Sequence, residues 1–239
     1  MTDLEGKQIR VGIVGTSCIG KTCMIKRFVE NSFHGSQYNS TQGVDFFARR
    51  MSLKTVGTVT FIIVDIGSNA LNSKMLPIYI NGIELFLLAY DMTNSNSLNE
   101  LRKWITVIAA FSGTRNYEPS VALVGLKGDL EHLRAVRLDA HTRFAQEHNI
   151  PLSFLSSAKS GESVLTCFQK CGIYHLNPDA KQRVREHAIL QASLPPSKRE
   201  SLVGGVPHNH PVLLPPPPSK SVAGGTSVPD PNSTVCSLQ

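Results

Sequence analysis

The chain has 239 residues, with 24 lysines and arginines against 18 aspartates and glutamates, a formal net charge of +6. That length allows one domain with an extension or two small ones, and without a long basic run the charge gives a nucleic-acid partner little footing. Five cysteines (18, 23, 167, 171 and 236) are an odd number without framework spacing, and no stretch has signal-peptide or membrane-spanning character; a soluble, intracellular monomer with free thiols is expected.

In chain order, Ile9 to Val14 reads as a short buried strand, and Gly15-Thr16-Ser17-Cys18-Ile19-Gly20-Lys21-Thr22 follows it. The octapeptide fits G-x-x-x-x-G-K-[ST], the phosphate-binding loop. Its glycines let the backbone curl so that N–H groups point at a phosphate, Lys21 adds a charge there, and the Thr22 hydroxyl suits a magnesium ion. Lys21 to Glu30 carries Met24, Ile25, Phe28 and Val29 on one side and reads as the following helix, which places an anion at a helix N-terminus.

Asn31 to Gln42 is a polar loop with Phe33, Tyr38 and Thr41 in it. Val44 to Leu53 and Thr58 to Ile66 predict a hairpin around Thr55-Val56-Gly57, with Asp65 at its end and a polar segment from Gly67 to Ser73. Glu84 to Tyr90 and Val121 to Gly125 predict buried strands, and Leu152 to Leu155 a further one. Ser97 to Phe111, Leu138 to His148 and Glu162 to about Leu176 predict helices; Cys167 and Cys171, four apart, share a face of the last. This alternation implies an α/β fold of three layers: a mostly parallel six-stranded sheet with helices on both faces. Ligands of such sheets sit at the carboxyl ends of the strands. Asp65, Lys127, Asp129 and Ser157-Ala158-Lys159 fall at those ends with the phosphate loop. Taken singly, Thr41 and Asp65 also fit a surface hydroxyl and a strand-end cap, and Lys127 to Asp129 an ordinary turn.

Residues 177–193 read as a possible helical extension, Pro178 suiting a first helical turn. From residue 194 the prolines, paired glycines and serines leave too little apolar surface to offset ordering entropy, and 194–239 is expected to be a flexible tail. It ends Cys236-Ser237-Leu238-Gln239, a C-a-a-X box whose final glutamine favours farnesyl.

Together these pieces resemble a Ras-like small GTPase of the Rab type, with residues 1–176 as its G-domain. Gln42 to Arg50, Lys74-Met75-Leu76, Glu131-His132 and Ser163 to Lys170 resemble the Rab twenty-eight subgroup, which also ends in one prenylated cysteine. The resemblance implies GTP or GDP with Mg2+ as ligands. Gly15 to Cys23 would cradle the phosphates; Thr22, Thr41 and Asp65 would hold the metal; the Gly67 N–H would meet the terminal phosphate. Phe33 would stack on the base and Lys127 pack over it. Asp129 would accept from guanine N1 and N2, and the loop Ser157-Ala158-Lys159 would donate the Ala158 N–H to the guanine oxygen. Lys21 and Thr41 would serve turnover, and effector and regulator proteins would read the switch loops. Membrane or ciliary traffic would be the setting, between cytosol and the cytoplasmic face of a membrane, the plasma or ciliary membrane among the candidates.

Three departures from that pattern stand out. Leu126 stands where the base motif has asparagine, and losing a buried hydrogen-bonding partner costs roughly 1–3 kcal/mol. Ser68-Asn69 stands for Gly-Gln, so the residue that orients the attacking water is one methylene short and hydrolysis is expected to be slow. Cys18 brings a side chain where many relatives have glycine. Two readings follow: a membrane-cycling switch, or a pseudo-GTPase that acts as a trafficking adaptor with little or no turnover. One lipid gives reversible membrane binding. Cys236→Ser is therefore expected to move the membrane-associated fraction to the cytosol on cell fractionation; an unchanged membrane fraction would contradict the anchor.

Overall fold

The computed structural model describes residues 6–35, 40–115, 118–179 and 181–182, all within the unit 1–195. Tyr38, most of the 177–193 extension, the tail from residue 194 and Cys236 lie outside the described residues. The elements run β1 (Lys7–Val14), α1 (Lys21–Glu30), β2 (Val44–Leu53), β3 (Gly57–Ile66), α2 (Leu76–Tyr79), β4 (Leu85–Asp91), α3 (Ser95–Arg115), β5 (Ser120–Leu126), α4 (Leu138–Glu147), β6 (Leu152–Leu155) and α5 (Val164–Leu176). Short 3-10 turns occupy Ser68–Asn72 and Glu131–Leu133. The strands form one sheet in the order β2-β3-β1-β4-β5-β6, antiparallel only between β2 and β3.

Alternation along each strand sorts side chains onto two faces. Ile9, Val11, Ile13, Phe61, Ile63, Leu85 and Leu87 point to one cluster, which Met24, Ile25 and Phe28 of α1 and Val164, Phe168 and Cys171 of α5 complete. Val64, Ile66, Phe86, Leu88 and Tyr90 point to the other, under Leu101 and Trp104 of α3 and Phe144 of α4. An aromatic stack joins α1 to α5: Phe28 and Phe168 lie 3.8 Å apart between ring centres, and Phe61 meets both edge-on. The three-layer α/β expectation is met. The sheet order reverses at β1, since β3 and β4 flank it, so the loop after β1 opens at the topological switch point.

Local chemistry sets several boundaries. α3 starts two residues before the expected Ser97, because the Asn94 side-chain oxygen accepts the Asn96 N–H (3.0 Å) and caps the helix there. α5 starts after Glu162 because Ser163 adopts φ +58, a left-handed conformation no helix continues through. Beyond α5, Asn177 accepts the Asp179 N–H (3.0 Å) and the Lys181 N–H meets the Asn177 carbonyl (3.2 Å), so a helical turn opens at Pro178. Cys167 and Cys171 are both buried in the core, where burial pushes the Cys171 thiol well above its usual range.

A buried polar pair lies under α4: the Tyr90 hydroxyl and His141 Nδ1, 2.9 Å apart. Burial, aided by the Arg134 charge, lowers the His141 pKa from 6.5 to about 4. A depressed imidazole binds its proton more readily in the unfolded chain. Its contribution is therefore complete above pH 6.5 and is lost as pH falls towards 4. The full difference is about 3 kcal/mol. Denaturant titrations from pH 7 to 4 are expected to show this loss, and His141→Gln to remove that part of the slope.

Candidate functional site

The phosphate loop is shaped by residues that alternate between anchoring and exposure. Gly15 has φ +148, and a Cβ there would lie 2.2 Å from the Ala89 carbonyl oxygen, so both space and conformation demand glycine. Ile19 is buried in the first cluster and anchors the loop, while Ser17 and Cys18 are exposed. Cys18 itself holds φ +58, which costs a residue with a Cβ roughly 1–2 kcal/mol. The first intrahelical bond of α1 runs from the Met24 N–H to the Gly20 carbonyl (2.9 Å). The amides of Lys21, Thr22 and Cys23 ahead of it have no helical acceptor, and the first turn carries no acidic residue to compete for an anion. Lys21 is only 7% exposed; its Nζ donates to the carbonyls of Gly15 (3.0 Å) and Thr16 (2.9 Å), arching over the loop. Burial lowers its pKa, opposed by the nearby Asp65 carboxylate.

Thr22, Thr41 and Asp65 come from three different segments and meet. The Thr22 hydroxyl donates to Asp65 Oδ2 at 2.5 Å, the Thr41 hydroxyl to the same oxygen at 3.1 Å, and the two hydroxyls lie 3.2 Å apart. Asp65 Oδ1 is buried and has no hydrogen-bond partner among the described residues. Burial raises the Asp65 pKa, with the Thr22 hydroxyl and the Lys21 charge pulling the other way. One buried carboxylate with an unmatched oxygen beside two hydroxyls suits a hard, oxygen-seeking divalent cation. Among the described residues there is no group of three or more His, Cys, Asp or Glu that could hold a metal. The donor set of this triangle fits Mg2+.

Gly67 lies where two loops meet. Its N–H donates to the Gly43 carbonyl (2.9 Å). A Cβ on it would lie 2.3 Å from the Thr41 carbonyl oxygen and 3.1 Å from that of Gly43. The glycine therefore lets the loop that carries Thr41 cross directly over the end of β3. Asn69 lies exposed in the 3-10 turn that follows.

At the far end, Leu126 closes β5 and is 2% exposed, packed in the cluster that also holds Ile19 and Ala158. Lys127 adopts φ +63, and its Nζ pairs with Asp91 Oδ2 at 2.6 Å. Asp91 Oδ1 is held in turn by the Thr93 amide and hydroxyl (2.8 and 2.7 Å). The Gly128 N–H meets the Ser156 carbonyl (3.0 Å), and the buried Ser157 hydroxyl donates to Asp129 Oδ1 (2.6 Å). Asp129 and Lys159 are exposed. Phe33 is half-buried against the first cluster. Cys23 sits between the two ends: burial raises its thiol pKa, while Lys127 lowers it and Asp65 raises it.

The structure thus gathers the phosphate loop, the Thr41–Asp65 junction and both base loops along the carboxyl ends of β1, β3, β5 and β6. It also shows residues the sequence reading missed. These are Asp91, at the end of β4, and Arg27. Arg27 sits on α1 six residues after Lys21, and its guanidinium donates to the carbonyls of Ala158 (2.7 Å) and Lys159 (2.8 Å). Its place on the polar side of an amphipathic helix gave no hint of that reach.

A family model described as the Ras family matches residues 10–174. The Ras-related protein Rab-28 of Caenorhabditis elegans is 33% identical over 175 residues, 73% of this chain and 70% of that protein. The Ras-related protein Rab-4 of Dictyostelium discoideum is 32% identical over 66% of this chain and 75% of its own length. The Ras-related protein Rab-1C of the same organism is 32% identical over 68% and 78%.

The Gly67 crossing can be tested without backbone strain, because its φ of −59 suits any residue. In Gly67→Ala the new methyl must push the Thr41 loop away from Asp65, an overpacking cost of about 1–3 kcal/mol. Mg2+ titration is expected to show at least a roughly tenfold weaker site. Unchanged Mg2+ affinity would contradict the crossing.

Proposed function

This chain belongs to the Ras family as a small GTPase of the Rab type, and on that premise we propose that it is a guanine-nucleotide switch with slow intrinsic hydrolysis. The observation that carries the reading is the convergence of a buried Lys21, the Thr22–Thr41–Asp65 triangle and the Asp129–Ser157 pair on one end of one sheet.

Each residue's task follows from its surroundings. Lys21 and the amides of residues 21–23 grip the outer phosphates. Thr22, Thr41 and Asp65 hold Mg2+, which neutralises charge on those phosphates when bound. Asp129, aimed by Ser157, accepts from guanine N1 and N2, and the Ala158 N–H donates to the 6-oxygen. The Lys127 stem packs on one face of the ring with its ammonium moored to Asp91, and Phe33 lies towards the other. Thr41 and the segment after Gly67 respond to the terminal phosphate, so the two nucleotide states differ in the loops at 40–47 and 67–80. Phe46 and Ile78, 62% and 64% exposed, and the exposed Met75 give effector and regulator proteins an apolar foothold there. The protein works as a monomer in vesicle-mediated or ciliary protein transport, cycling between cytosol and a membrane through a farnesyl group on Cys236.

Two residues favour a second reading, an adaptor with little turnover. Leu126 lies wholly in the core, so no side-chain amide at that position braces the phosphate loop. Asn69 is a methylene short for positioning water. Nucleotide binding and single-turnover hydrolysis on the purified chain separate the two. GDP is expected to bind at least about a hundredfold tighter than ADP, with slow GTP hydrolysis that Asn69→Gln speeds by roughly ten- to a hundredfold. Hydrolysis that is absent in both forms supports the adaptor; equal retention of GDP and ADP contradicts guanine recognition altogether.

A further inference from the structure

We infer that Arg27 is a positioning residue for the nucleotide base, holding the backbone just after the Ala158 N–H that reads the guanine 6-oxygen, and through it that N–H, in register with the phosphate loop. The inference rests on the guanine-binding reading above and starts from what Leu126 cannot do. An apolar side chain buried among Ile19 and Ala158 makes no polar tie between the base end and the phosphate end. Arg27 makes one from the other side.

Its guanidinium is held at every arm. Nε donates to the Ala158 carbonyl (2.7 Å), Nη2 to the Lys159 carbonyl (2.8 Å) and Nη1 to the Asn31 carbonyl (2.9 Å). The last contact closes the end of α1, where Asn31 turns left-handed and returns its own N–H to the Arg27 carbonyl (3.1 Å). The side chain therefore has little freedom left. Six and five residues up the same helix stand Lys21 and Thr22, about 9 and about 7.5 Å away along a rigid rod. A planar fork with fixed donors can hold two successive carbonyls at set angles, which a lysine cannot.

The reading peptide is restrained on its other side by a separate set of bonds. The Ser157 hydroxyl goes to Asp129 (2.6 Å), and the Gly161 N–H returns to the Ser157 carbonyl (2.9 Å). Asp129 and the Ser157–Ala158 peptide that carries the Ala158 N–H are thus bonded without Arg27, whereas the two peptides that follow, through the Ala158 and Lys159 carbonyls, are held by it and set the position of Ala158 from that side. The two halves of base recognition have different supports, and that division makes the role testable.

The probes are GDP, inosine diphosphate, which lacks the 2-amino group, and 6-thioguanosine diphosphate, whose sulfur is a poor acceptor. Wild-type protein is expected to bind GDP best. Arg27→Ala is expected to lose roughly ten- to a hundredfold in GDP affinity, the scale of broken charge-assisted bonds. Its preference for GDP over the 6-thio analogue should collapse, while its preference over inosine diphosphate stays as in wild type. Arg27→Lys, which keeps the charge and stem, should fall between and serves if Arg27→Ala does not fold; thermal melts report folding. An exposed arginine that pairs with Asp139, in Arg137→Ala, should leave all three affinities unchanged. A purely structural Arg27 would weaken all three nucleotides equally and lower the melting temperature, which overturns the inference. Wild-type protein that binds GDP and the 6-thio analogue equally overturns it too, and leaves guanine-nucleotide binding standing. Wild-type protein that retains no GDP removes that reading and this role with it.

Discussion

A fully buried carboxylate with one oxygen unmatched governs the arrangement around it. Asp65 sits at the end of β3 where water does not reach, and leaving its Oδ1 without a partner is costly in a low-dielectric interior. The chain answers on Oδ2 alone, with hydroxyls from Thr22 and Thr41 and the charge of Lys21 nearby. Those three residues belong to the phosphate-loop helix and to the loop before β2. One carboxylate therefore fixes the relative placement of three segments, and its spare oxygen leaves the place for a divalent cation.

Around that point the backbone is brought unusually close. Gly15 leaves no room for a Cβ against the Ala89 carbonyl, and Gly67 leaves none against that of Thr41. These contacts let two loops lie against strand ends with no side chain between them. The base end is built on different terms. There an apolar Leu126 joins the core, and polar orientation passes to Asp91, Ser157 and Arg27. In the proposed reading the phosphate half of the site is reinforced by charge, and the base half by bonds to backbone carbonyls from a neighbouring helix.

Much of this was legible in the sequence, for reasons that can be stated. β4 and β5 are near-continuous apolar runs, and β1 and β3 carry such runs at Val11–Val14 and Phe61–Val64, the pattern of strands covered on both faces, while α1 and α4 carry clear one-sided periodicity. The phosphate loop announces itself because its conformation needs glycines at set intervals. The segment between β3 and β4 was not legible as helix: Ser68–Asn72 and Leu76–Tyr79 are too short for periodicity, and their order comes from burying Ala70, Leu76 and Ile80. Arg27 was invisible because its partners are main-chain carbonyls 131 and 132 residues away, which no residue type signals. The same holds for Gly67, whose value is an absent side chain at a crossing of loops distant in sequence. Asn31 to Gln42 and Phe33 were placed as a loop and an aromatic within it, and Phe33 packs against the core there.

The central claim is that Asp65, Thr22 and Thr41 hold a cation that in turn holds the nucleotide's phosphates. Its most direct test is the rate at which GDP leaves the purified, Mg2+-loaded chain when the metal is removed by EDTA. Release is expected to speed up at least about tenfold in wild type and to be fast and indifferent to EDTA in Asp65→Asn. Release from the wild-type chain that EDTA does not alter would contradict it.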